Sequence, residues 1–128
     1  MDWTLEFHGS EVQWTEVTDG QACLRFSAAA VRRRVDGALE EGHVKGLELR
    51  FSGVTAAAGD PALCLGALSD SLLTINGVRH RHIPVPFEAL GDVRAEFNFK
   101  SGTTLALSAG AVHGLPPAAP HFQTSYAC

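Results

Sequence analysis

Apolar and polar residues alternate along most of this chain, and a period of two places successive side chains on opposite faces of an extended strand. Trp3, Leu5 and Phe7 share one face, and Thr4, Glu6 and His8 share the other. After Gly9-Ser10, Val12 and Trp14 resume the apolar face. A loop from His8 to Glu11 would set Phe7 opposite Val12 and Leu5 opposite Trp14, the cross-strand apolar pairs that hold a hairpin in register. The same alternation runs through Leu24 and Phe26, through Leu47, Leu49 and Phe51, and through Leu63, Leu65 and Ala67.

Turn chemistry punctuates these runs. Asp19-Gly20 closes one hairpin, and Asn76-Gly77 suits a type I′ turn because both residues tolerate positive φ. A two-residue turn at Asn76-Gly77 sets Val78 opposite Ile75 and His80 opposite Leu73. A turn at Ser69-Asp70-Ser71 would bring Leu73 opposite Ala67 and Ile75 opposite Leu65. For the last hairpin a three-residue loop, Lys100-Ser101-Gly102, puts Phe99 against Thr103, Phe97 against Leu105 and Ala95 against Leu107. A two-residue loop would turn Leu105 and Leu107 to the wrong face. Between 28 and 43 the spacing of Ala28, Val31, Val35 and Leu39 is helical, but Asp36-Gly37 falls inside it, and glycine there costs about 1 kcal/mol relative to alanine. A strand extension followed by a loop is favoured, with one helical turn as the alternative.

About eight short strands joined by tight turns predict an all-β, antiparallel fold, a sandwich or a closed barrel, with at most one short helix. Residues 1–114 are read as one domain. The tail, 115–128, begins Leu115-Pro116-Pro117-Ala118-Ala119-Pro120 and is expected to be extended or disordered. With 45% hydrophobic and 19% charged residues, the chain is too apolar for a disordered one. The net charge of −4 argues against nucleic acid and anionic membranes as partners. No apolar run approaches the roughly 20 residues of a membrane-spanning helix. The acidic N-terminus has no signal pattern, and Cys23, Cys64 and Cys128 are too few and too scattered for a disulfide framework, so the cytoplasm is the expected compartment. By alternation, Cys23 lies opposite the Leu24/Phe26 face and Cys64 opposite the Leu63/Leu65 face.

Three groups of residues are candidates for chemistry. His80 and His82, two apart on a strand, project from one face and are spaced to share a divalent transition metal. Over residues 80–113 this stretch resembles the metal motif of the cupin family of β-barrels, which implies Glu88 and His113 as further ligands. It departs from that motif in a longer gap to Glu88, a misplaced glycine beyond it, and prolines at 84 and 86. The competing reading makes these histidines hydrogen-bonded structural residues. Arg32, Arg33 and Arg34 could grip an anion, but consecutive residues of a strand point to alternate sides, and Asp36, Glu40 and Glu41 are close enough to neutralise them. Phe122 and Tyr126, beyond the proline-rich spacer, are candidate anchors for a partner's groove.

No serine-nucleophile motif, phosphate-binding glycine loop or Cys-x-x-Cys pair occurs, and nothing places a histidine beside a cysteine. The leading expectation is a non-catalytic β-domain without a cofactor that binds a protein partner or a second copy of itself. The small outward residues Ala106 and Ser108 would permit close approach of another sheet. The alternatives are the metal-binding barrel and a barrel that encloses a small apolar molecule among Trp3, Trp14, Phe97 and Phe99.

Overall fold

The first two strands form one long hairpin. β1 (Trp3–Thr18) and β2 (Gln21–Val35) meet across the Asp19-Gly20 turn, with Thr18 opposite Gln21. β3 (Ala38–Val44) continues the meander through Asp36-Gly37, where φ is +50° and +80°. This corrects the expected loop: Asp-Gly takes the same double positive-φ turn as Asn76-Gly77, and the helical spacing around it has no structural counterpart. The remaining strands are β4 (Glu48–Ser52), β5 (Ala56–Ala58), β6 (Gly66–Ala67), β7 (Leu72–Ile75), β8 (Val78–His80), β9 (His82–Val85), β10 (Phe87–Asn98), β11 (Thr104–Leu115) and β12 (Phe122–Thr124). The computed structural model describes residues 3–118 and 122–124. Among these, the one helical element is the 3-10 turn Pro61–Leu63.

The strands make an antiparallel sheet curled into a half-barrel. Its main path runs β12-β3-β2-β4-β11-β10-β7-β8. β1 lies on the other side of β2 and also pairs with β6 and β9. Because β9 follows β8 with only Arg81 between them, the curl returns toward its start, where the Phe7 amide donates to the Arg81 carbonyl at 3.4 Å. No helix among the described residues is long and apolar enough to cross a membrane.

One core fills the concave side. Phe7, Phe26, Phe51 and Phe97 are fully buried, each worth roughly 1.5–3 kcal/mol over an exposed ring. Phe97 meets Phe7 edge to face at 5.8 Å and Phe51 at 6.2 Å between ring centres. The two hairpin registers read from turn chemistry are those observed: His80 opposes Leu73 and Val78 opposes Ile75, while Phe97 opposes Leu105 and Ala95 opposes Leu107.

Three local expectations are overturned. Residues 8–11 do not turn the chain back; β1 runs straight on through a bulged stretch, so Leu5 faces Val31 and Trp14 faces Arg25. Ser10, wholly buried in that stretch, accepts from the Ala30 amide at 2.8 Å and so keeps the ladder satisfied where backbone pairing lapses. The run at 63–67 is not a strand opposite β7, whose neighbours are β10 and β8. Asp60 caps the 3-10 turn by accepting from the Ala62 amide at 3.0 Å. That turn drives Cys64 into the core and leaves Leu63 and Leu65 outside, the reverse of the alternation reading.

Candidate functional site

The outward side chains of neighbouring strands line up in rows across the convex face. Glu16 on β1 stands opposite Cys23 on β2, Cys23 opposite Arg50 on β4, Arg50 opposite His113 on β11, and His113 opposite Glu88 on β10. With strands about 4.8 Å apart, this ladder spans roughly 19 Å. The row on one side of it contains Trp14, Arg25 and Glu48, and the row on the other contains Thr18, Gln21 and Ser52. A cleft of about 410 Å3 opens here, lined by Trp14, Glu16, Gln21, Cys23, Arg50 and His113 together with their neighbours.

The bulge at Gln13 puts Trp14 in this cleft. Val12 faces Phe26 and Trp14 faces Arg25, so β1 advances two residues while β2 advances one. The additional residue breaks the alternation, and Trp14 turns outward although Val12, two positions before it, is buried. Trp14 is 36% exposed where Trp3 is 2%.

Glu48 organises the charges. Its carboxylate accepts from Arg25 Nη1 at 2.9 Å on one oxygen, and from Arg50 Nε at 2.9 Å on the other, which also lies 2.7 Å from Arg50 Nη2. The Glu48 side chain is only 13% exposed. Burial pushes its pKa up, but hydrogen bonds and charge from Arg50 and Arg25 outweigh burial and hold the carboxyl below its ordinary 4.5. The Cys23 thiol lies 3.8 Å from the same carboxylate. Burial, and then the charge of Glu48, push that thiol up to about 11, so it stays protonated at neutral pH and is a poor nucleophile. Gly46, at φ +88°, makes room for the Arg25 guanidinium, since a Cβ there would lie 3.2 Å from Nη2.

The candidate metal residues are split. His80 stands opposite the buried Leu73 on the core side, and His82 stands opposite Glu6 on the outer side. The bend at Arg81 separates β8 from β9 and breaks the alternation that would have given the imidazoles one face. His113 and Glu88 do come together, with Nδ1 3.9 Å from Oε2. Among the described residues, no three His, Cys, Asp or Glu side chains converge as a metal site.

The arginine triplet turns toward its own chain. Arg32 pairs with Glu6, Arg33 lies 3.7 Å from Glu40, and Arg34 donates to the Gly37 carbonyl at 3.3 Å. The Arg33 guanidinium also sits 3.8 Å above the Phe122 ring. Phe122, expected as an anchor for a partner, is seated beside Val44 on β3 of its own chain and packs partly against the core. Gly42 makes that seat possible, because a Cβ there would strike the Gln123 carbonyl and the Phe122 ring. Tyr126 lies outside the described residues. Of the residues proposed to enclose an apolar molecule, Trp3, Phe97 and Phe99 belong to the packed core, and Trp14 is on the outer face.

Sequence reasoning located two members of the ladder, His113 and Glu88, for a different reason, and missed Trp14, Gln21, Arg25, Glu48 and Arg50 as a group. The outward direction of Arg25, Glu48 and Arg50 was readable from alternation. Their adjacency was not, because it depends on β4 inserting between β2 and β11. Comparison of the chain with protein-family models, curated proteins and solved structures gives no match.

Proposed function

We propose that this protein is a non-catalytic binding domain whose recognition surface is the outer face of β1, β2, β4 and β11. The observation that carries this reading is the cleft itself, where an exposed indole stands beside two guanidiniums locked in place by one carboxylate. Preorganised polar groups beside an aromatic wall are what a small-molecule site needs. Catalysis has little support in the same groups: the Cys23 thiol is held protonated and Glu48 is engaged on both oxygens. Cys23 and Cys64 are free thiols, which suits the reducing cytoplasm as the proposed compartment.

Saturation-transfer NMR of the full chain against a mixed fragment library tests the reading. Hits are expected that disappear in Arg50→Ala and Trp14→Ala but persist in Arg94→Ala. An absence of hits, or hits indifferent to both cleft variants, would remove this face as the recognition surface.

Self-association is a second reading, favoured by β5. Ala56, Ala57 and Ala58 are all exposed, and among the described residues the strand pairs only with β11. An uncharged edge of small side chains is open to a further strand. Sedimentation from micromolar to millimolar protein should show a dimer that Ala58→Lys abolishes. A monomer at all concentrations would count against it.

A further inference from the structure

The ligand of this cleft can be narrowed by its charges, its hydrogen-bonding groups and its one aromatic wall; the inference rests on the cleft being the recognition surface. Arg50, Glu48 and Glu16 line the cleft, and Arg25, bound to Glu48 from outside the lining, brings the second positive charge against the two negative ones. The fixed charges therefore cancel. A site built for a phosphate or a carboxylate keeps uncompensated cations for it, and here the cations are already paired by Glu48. This balance favours a ligand without net charge.

The polar groups that remain are mixed in sense, and two of them, the Gln21 amide and the Glu16 carboxylate, are planar. Gln21 both donates and accepts, Glu16 accepts, and Thr18 and Ser52 do either. Arg50 engages Glu48 through Nε and Nη2, which leaves Nη1 outside that pairing. Its side chain is 59% exposed although two of its nitrogens are engaged. Alternating donors and acceptors match vicinal hydroxyl groups, each of which both gives and takes a hydrogen bond. Trp14 supplies the other half of the recognition. An exposed indole offers a flat apolar face with a negative quadrupole, onto which the C–H face of a sugar ring stacks. The ladder continues past the cleft through His113 to Glu88, so a chain of sugar rings can lie along it.

We propose that the outer face of β1, β2, β4 and β11 binds a neutral oligosaccharide, with Trp14 as the stacking platform and Glu16, Gln21, Arg50 and His113 as hydrogen-bonding partners. The two tryptophans make the test direct, because their indole N–H signals report the cleft and the core separately. Cellohexaose, xylohexaose, mannohexaose, maltohexaose and chitohexaose are titrated into the full-length protein and followed by heteronuclear NMR. At least one should shift the Trp14 indole signal and leave that of Trp3 in place. Trp14→Ala and Gln21→Ala should each weaken that binding by about tenfold or more, equivalent to about 1.4 kcal/mol, and Arg94→Ala should leave it unchanged. Backbone dispersion in the same spectra establishes that each variant is folded.

If none of the five moves the Trp14 signal, the proposal is overturned. A heparin-derived hexasaccharide that binds more tightly than every neutral one also overturns it, because the cleft would then select charge. Citrate and adenosine monophosphate, run alongside, separate this failure from that of the broader reading. Shifts from either that Arg50→Ala abolishes, with no sugar response, would keep the cleft as a binding surface and reject the saccharide.

Discussion

Two clefts of about 410 Å3 open on the outer face of this sheet, and they differ in how their charges are held. The cleft over β1, β2, β4 and β11 is organised around Glu48, with a side chain only 13% exposed and guanidiniums on both oxygens. The cleft over β5, β11, β10 and β7 is floored by Ala56, Ala58, Ala106 and Ser108. Its charged residues belong to solvent: Arg94 pairs at 3.3 Å with Asp92 on its own strand, with side chains 70% and 62% exposed. Equal volume thus comes with opposite mechanical character. In the first cleft the polar groups are fixed before any ligand arrives, and less ordering entropy is lost on binding. In the second they must be ordered at that moment, and the small floor suits the approach of another strand better than the grip of a small molecule.

The largest expected difference is in stability. Glu48→Gln leaves two arginines facing each other without their shared carboxylate, and should cost about 2 kcal/mol by urea denaturation. Glu96→Gln, in the second cleft, should stay within about 0.5 kcal/mol of the wild type. Equal losses would mean that the two clefts do not differ in the way described.

Acid unfolding sharpens the same contrast. The folded pKa of Glu48 lies below its ordinary 4.5, so its contribution to stability is present above that value and is lost as pH falls through the folded value. Replacing Glu48 with Gln should flatten the stability curve below pH 4.5. At the alkaline end the sign reverses for Cys23. Its pKa rises from 9.0 to about 11, so the protonated thiol contributes fully below pH 9 and that contribution fades as pH climbs toward 11.

Smaller again is the effect on thiol reactivity. In a Cys128→Ser background, native Cys23 should react with iodoacetamide at pH 8 several-fold more slowly than in the urea-unfolded chain. Glu48→Gln should recover part of that difference, because it removes one of the two causes of the raised pKa. A native rate equal to the unfolded one would show that Glu48 and burial do not restrain the thiol. The smallest effect is expected of Arg94→Ala, within about 0.5 kcal/mol by the same denaturation, as for other exposed pairs.

How much of this was legible in the sequence varies residue by residue. The turn at Asn76-Gly77 and the loop at Lys100-Ser101-Gly102 gave correct registers, because a short hairpin ties register to local turn chemistry. Asp36-Gly37 carried the same signal, but competing helical spacing obscured it. Trp14 was misassigned to the core because the bulge at Gln13 has no signature of its own in the sequence: an extra residue on one strand is visible only beside its partner. His80 and His82 were given one face because nothing local announces the bend at Arg81. Glu48 and Arg50 were correctly turned outward, yet their role as the centre of a charge network depends on which strands flank β4.

The alternation of apolar and polar residues, and the dipeptides that interrupt it, were enough to determine an antiparallel, all-β chain. Both are local properties of the backbone: a period of two follows from strand geometry, and positive φ at a turn follows from residue type. Only the tertiary structure decided that β4 lies between β2 and β11, that one bulge turns Trp14 to the outside, and that Arg25, Glu48, Arg50 and His113 meet. Those outcomes are set by packing of the common core among strands distant in sequence, and a local pattern carries no record of which distant strand will lie beside it.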